Sequence, residues 1–286
     1  MPFRTTVITG ATSGIGKETA LALAKKDHAL YLLVRNVDKG EELKKEIITQ
    51  TGNRSIFVIY CDLADMQTVK QAADELKGKL FAINVLINNA GGLNANRKES
   101  KDGVELTFAM NHLGHFLLTM SLMPLLQKGQ ARVINVSSEA HKMARPQLLN
   151  DIGFKQDYSA WKAYGLAKLC NIYFTNSLTE KYTPAGITAY ALHPGIVKSD
   201  FWSGLGGLNT ILKVLASPFM ITAREGAQTS IYLAGQVKLS PKLNGQYFKK
   251  SQVAKTTLAA QNISARNKLW QISEQFVAQF FTEKSL

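Results

Sequence analysis

The sequence predicts a doubly wound α/β fold, a parallel sheet with helices on both faces, built as a single domain over residues 1–286. Three observations carry this expectation. Short apolar runs rich in β-branched residues alternate with longer segments of helical period, a glycine-rich stretch stands at the first strand-to-helix turn, and no Pro/Gly-rich linker breaks the alternation before residue 196.

Taken in order, strands are predicted over residues 5–9, 29–34, 56–61, 83–88, 132–136 and 187–192, each a near-continuous apolar run of the kind buried on both faces. Helices are predicted over 14–26, 38–50, 65–78, 103–126 and 158–182, with Asp38 and Asp65 placed as N-caps. Strand–helix–strand units of this length imply right-handed crossovers and parallel pairing. The tail adds a helix over 225–233, a strand over 246–248 and a closing helix over 262–281 that turns Trp270, Ile272, Phe276 and Phe280 inward.

The composition is that of an ordinary globular chain, 45% hydrophobic and 19% charged, without repeats. The formal charge of +13 is spread along the chain with no aromatic-interleaved basic block, so nucleic acid is not an expected partner. Cys61 and Cys170 cannot build a disulfide framework, and no CxxC or HExxH spacing offers a metal site. The N-terminal residues lack the layout of a signal peptide, and the most apolar stretch, 208–221, is broken by Lys213 and Pro218, short of the ~18 residues a spanning helix needs. The expectation is a cytoplasmic protein with at most peripheral membrane contact, monomeric or homo-oligomeric.

Between the first strand and helix stands Thr9-Gly10-Ala11-Thr12-Ser13-Gly14-Ile15-Gly16. Glycines there admit a tight turn and let a pyrophosphate approach backbone N–H groups at a helix N-terminus, as in Rossmann-type folds. The spacing is GxxxGxG, and it resembles the short-chain dehydrogenase/reductase family, in which Gly10, Ser13, Gly14, Ile15 and Gly16 would hold the dinucleotide. At the end of the second strand, where an NAD enzyme carries an acid for the ribose, stands Arg35, whose fixed fork and permanent charge suit a 2′-phosphate. NADP(H) is therefore the expected cofactor; Asp38 as a ribose ligand and Arg35 as a solvated strand end are the alternatives.

Reduction of a carbonyl by hydride needs an acid for the developing alkoxide, and a tyrosine can serve where a cation one helical turn away favours its phenolate. Two pairs have that spacing, Tyr158/Lys162 and Tyr164/Lys168, and spacing does not separate them. The resemblance does. Residues 163–171 resemble the family's YxxSKxxN stretch, with Ala167 in place of serine, which assigns Tyr164 and Lys168 and leaves Tyr158 a packing or rim aromatic.

Further matches extend the resemblance over almost the whole chain and imply further roles. Asp62 and Leu63 would meet the adenine, and Asn89, Ala90 and Gly91 would line the cofactor. In residues 135–138, similar to the family's NVSS, Ser138 would donate to the substrate oxygen, while Ser137 would face the cofactor or the sheet. Asn111 would hold, through its backbone, a water in a proton relay to Lys168. Pro194, Gly195, Val197 and Ser199 match PGxVxT, with Ser199 keeping the hydroxyl, and would fix the nicotinamide end. His112 and His115, without nearby acids or cysteines, read as packing residues.

Residues 111–119, 217–219 and 222–230 narrow the resemblance to retinol-dehydrogenase-like and WW-domain-oxidoreductase-like members, whose relatives handle apolar aldehydes and alcohols. Phe201, Trp202, Leu205, Leu208, Leu212 and Leu215 would form an apolar substrate lid at about 199–222; core packing and peripheral membrane contact are the other readings of that stretch. The expected activity is an NADP(H)-dependent carbonyl reductase or alcohol dehydrogenase acting on a small apolar carbonyl or alcohol substrate. The alternative is a cofactor-binding regulator without turnover, which retention of Asn111, Ser138, Tyr164 and Lys168 disfavours.

Overall fold

A computed structural model describes residues 4–197 and 220–281. Eight strands form one sheet in the order β3-β2-β1-β4-β5-β6-β7-β8, with every neighbouring pair parallel except β7–β8. They are β1 Thr5–Thr9, β2 Ala29–Val34, β3 Ile56–Tyr60, β4 Val85–Asn88, β5 Arg132–Val136, β6 Thr188–His193, β7 Tyr247–Lys249 and β8 Gln252–Val253. The strand order reverses direction between β1 and β4, which opens a crevice beyond their carboxyl ends.

Helices α1 (Gly14–Ala24) and α2 (Val37–Thr51) pack on one face of the sheet, together with α8 (Ala223–Gly235). The other face carries α3 (Met66–Lys79), α4 (Leu106–Phe108), α5 (Gly114–Ser121), α6 (Met123–Lys128), α7 (Ala160–Tyr182) and α9 (Ile263–Val277). Central strands buried on both sides explain why their sequences read as apolar runs and not as alternation.

Two expectations about elements are corrected, and a third holds with a change of partner. Asn36, not Asp38, caps α2, its side chain accepting from the Lys39 N–H at 2.9 Å. Asp65 is the N-cap residue of α3, as expected, although its carboxylate pairs with the Lys101 ammonium and Asp102 accepts the Met66 N–H. The single helix expected over 103–126 is interrupted: α4 passes through a π-helical turn, Ala109–Leu113, into α5, and a new start at Met123 with Pro124 in its first turn opens α6.

The closing α-helix ends at Val277, before a tight turn over Ala278–Phe280, and it buries Trp270 and packs Phe280 on the core as expected, but not Phe276. Its buried stripe is Ala265, Leu269, Ser273 and Val277, with Trp270 beside it, whereas Phe276 is 40% exposed. The reason is polar: Ser273 takes a core position because its hydroxyl meets His112 Nε2 at 2.9 Å. A hydropathy pattern passes over a serine in such a slot.

Candidate active site

The glycine-rich turn leaves β1 at Thr9 and enters α1 with Gly10 at φ +67°, a backbone state that other residues rarely adopt. A Cβ on Gly16 would stand 2.2 Å from the Gly10 carbonyl oxygen, and one on Gly10 2.8 Å from Ala90 Cα, so only bare backbone fits. Ser13 is the N-cap of α1 yet makes no side-chain cap, which leaves the first N–H groups of that helix to a ligand. This cradle fits a dinucleotide pyrophosphate. Arg35 is exposed just past the end of β2.

Asn89 supports the cradle from behind. Its side-chain amide donates to the Thr9 and Gly10 carbonyls at 2.8 and 3.1 Å, and the Asn89 and Ala90 backbone N–H groups donate to Thr9 Oγ1, each at 3.0 Å. Asp62, two residues past the end of β3, turns its carboxylate to the Ala64 N–H at 3.0 Å, while Leu63 is buried with its backbone oxygen close against Gly114. Pro194, Gly195 and Val197 follow β6; Val197 pairs with Ile221 and, with Ile15, packs on Gly226 of α8, so the two ends of the crevice meet through that helix. Ser199 and the six apolar lid residues lie outside the described residues.

The proton-handling residues converge at the carboxyl end of β5. Tyr164 and Lys168 sit on one face of α7, and Lys168 Nζ lies 5.3 Å from the centre of the Tyr164 ring. The Lys168 ammonium donates to the Val136 carbonyl at 3.1 Å, which also accepts the Asn171 amide at 3.0 Å. Ser138 hydrogen-bonds the Tyr164 phenol. Ser137, by contrast, is buried and donates to the Lys168 carbonyl at 2.7 Å; it braces α7 against the sheet.

Burial pushes the two partners toward neutrality. It raises Tyr164 well above the ordinary tyrosine value and lowers Lys168 to about 7. For Tyr164, the Ser138 hydrogen bond favours the phenolate and desolvation outweighs it. A neutral phenol is suited to giving a proton.

Asn111 lies in the middle of the π-helical turn, fully buried. Its amide nitrogen donates to the Gly92 and Thr107 carbonyls, both at 2.7 Å, which fixes Oδ1 on the opposite side. That oxygen is buried without a partner and faces Gly91, where an added Cβ would stand 2.3 Å from it and 3.1 Å from Lys168 Nζ. An unfilled acceptor beside an ammonium is a place for a proton-bearing group. The Asn111 backbone carbonyl, expected to hold a water, is met by His115 Nδ1 at 3.0 Å.

Tyr158 stands apart, its hydroxyl donating to the Asn94 carbonyl at 2.7 Å and its ring edge-on to Phe154. Lys162 pairs with Asp157 at the surface. Tertiary structure thus separates the two tyrosine–lysine pairs.

Several site residues had no signal in the sequence. Leu93, Ala140, Trp161 and Met220 form an apolar wall with Tyr164, the Trp161 ring standing 6.4 Å from the tyrosine ring at 81°. Glu139, next to Ser138, accepts from Lys142 and from Tyr247 at 2.7 and 3.1 Å; against partial burial, Lys142 and Lys249 hold its carboxyl at about 2. The Leu93, Met220 and Tyr247 contacts arise between segments far apart in the chain.

Known proteins resemble this chain over most of its length. The model of the short chain dehydrogenase family matches residues 4–206. Human retinol dehydrogenase 12 is 39% identical over 274 residues, 96% of this chain and 86% of that protein. Human WW domain-containing oxidoreductase is 35% identical, over 95% of this chain and 67% of that protein. A crystal structure of an uncharacterized protein from Mycobacterium paratuberculosis superposes with a TM-score of 0.75 at 31% identity, covering 96% of this chain and 93% of that one.

Proposed function

The chain belongs to the short-chain dehydrogenase family of oxidoreductases, and from that premise we propose that it is an NADP(H)-dependent enzyme interconverting an apolar aldehyde or ketone and the matching alcohol. The bound nicotinamide supplies or accepts the hydride. Tyr164 gives the proton to the carbonyl oxygen as its bond to carbon becomes single, Ser138 donates a hydrogen bond to that same oxygen, and Lys168 stands ready to restore the phenol proton. Asn111 borders the path by which Lys168 is reprotonated.

The observation that carries this reading is the meeting of Tyr164, Lys168 and Ser138 beside an apolar wall, at the sheet edge that also bears the bare-backbone cradle. Arg35 supports NADP(H) over NAD(H), since the strand end offers a permanent cation where a 2′-phosphate would lie. The wall of Leu93, Trp161 and Met220 supports an apolar substrate. Retinol dehydrogenase 12, by its name, acts on retinol, and a retinoid is accordingly one member of the substrate panel.

The test is a panel of apolar aldehydes, ketones, retinoids and their alcohols with purified protein, followed by NADPH absorbance. Consumption of NADPH with apolar carbonyls, and weaker turnover with NADH, is the expected result. No consumption with any member would leave a cofactor-binding protein without turnover.

A further inference from the structure

His115 lies on α5, one turn beyond Asn111, and is 1% exposed. Both ring nitrogens are engaged: Nδ1 is 3.0 Å from the Asn111 carbonyl oxygen and Nε2 is 2.9 Å from Thr9 Oγ1. A carbonyl only accepts, so Nδ1 carries the hydrogen. Burial, reinforced by the nearby Lys168 charge, holds the ring's pKa at about 4, so the imidazole is neutral and Nε2 presents a lone pair.

Thr9 completes the assignment. Its oxygen accepts the Asn89 and Ala90 N–H groups, and its one proton has two acceptors in reach, the Ile87 carbonyl at 3.4 Å and His115 Nε2 at 2.9 Å. The shorter contact takes it. The hydrogen bonds therefore run in one direction, from the Asn89 and Ala90 backbone to Thr9, from Thr9 to His115, and from His115 to Asn111.

We propose that His115 is a positioning residue for the hydride-transfer reaction: as the neutral Nδ1–H tautomer it ties the Asn111 carbonyl in the π-helical turn to the Thr9 end of β1, from which the Gly10 loop departs. This rests on the oxidoreductase reading above. A π turn is a rare departure from the α-helix and persists where its surroundings hold it. Asn111, within that turn, faces Gly91 and Lys168, and His115, beside the Asn111–Gly92 bond, joins the turn to the Thr9 end of β1. A shift of about 1 Å at such a point is enough to cost roughly 10- to 100-fold in turnover.

The experiment compares wild type, H115N and H115L. The Asn Nδ2 can occupy the place of the imidazole Nδ1 and keep the bond to Asn111 but does not reach Thr9, whereas leucine keeps apolar volume and neither bond. The expected result is kcat lower than wild type in both variants, by at least about 10-fold for H115L and at least about 3-fold for H115N, with similar melting midpoints for the two variants. Either variant as fast as wild type would overturn the positioning role alone. A wild type without turnover would overturn the oxidoreductase reading and this role with it. On the wild-type protein, 15N spectra of labelled histidine, assigned by the signal lost in H115N, should show His115 neutral and protonated at Nδ1; protonation at Nε2 would also overturn the proposal.

Discussion

Lys168 Nζ stands 5.3 Å from the centre of the Tyr164 ring, and the Val136 carbonyl is the acceptor that holds it there. Tyr164→Phe removes the proton donor and leaves the backbone cradle intact. Turnover is expected to fall by at least ~100-fold while NADPH affinity, read by its fluorescence, changes less than ~3-fold. Tyr158→Phe removes the hydroxyl that meets Asn94 and Thr107 and should cost about 1 kcal/mol of stability with little loss of turnover; a comparable loss of turnover in both variants would contradict the assignment.

Burial of Lys168 makes stability depend on pH in a defined direction. In the folded protein its pKa is lowered from 10.5 to about 7, so between those values the unfolded chain binds more protons than the folded one. Stability without bound cofactor should therefore rise with pH from 7 toward 9, by up to ~1.4 kcal/mol per pH unit from this group. Lys168→Met removes the term, and denaturation at pH 7 and 8.5 should show a flatter response than wild type. Equal slopes in the two proteins would refute it.

Two glycines should respond to alanine in opposite ways. At Gly16 the new methyl would lie 2.2 Å from the Gly10 carbonyl, so the cradle must deform and NADPH affinity should drop at least ~10-fold. Gly78 is exposed on α3 with nothing within 4 Å of an added Cβ, and Gly78→Ala should stabilise by up to about 1 kcal/mol without effect on binding. Chemical denaturation and NADPH titration read both.

Arg35→Ala tests the cofactor. Loss of a charge-assisted pair with a phosphate costs about 1.5–3 kcal/mol, so the Kd for NADPH should rise by roughly 10- to 100-fold with that for NADH nearly unchanged. Equal effects on the two cofactors would rule out the 2′-phosphate contact.

Trp161 tests the apolar wall. Trp161→Ala opens the surface beside Tyr164, and KM for a long-chain aldehyde should rise about 10-fold while that for acetaldehyde stays within ~2-fold, because only the longer chain reaches the lost area. A uniform change across chain lengths would show that the indole serves packing.

The strands, the glycine loop, the Tyr164/Lys168 spacing and the single-domain winding were all legible in the sequence, because each depends on local periodicity or on residue types within one turn. Two-sided burial writes itself as an apolar run, and a backbone cradle writes itself as glycine. What the sequence alone left open was settled by contacts across long stretches of chain. Tyr158 was parted from Tyr164 by Asn94, far away in the chain; the cap of α2 moved to Asn36; Ser273 displaced Phe276 from the buried stripe because His112 needed a polar partner. The π-helical turn at Asn111 and the His115 link to Thr9 belong to the same class. Their hydrogen-bond partners meet only once β1, β4 and α5 are packed, and no local pattern in hydropathy encodes which buried polar group will find which.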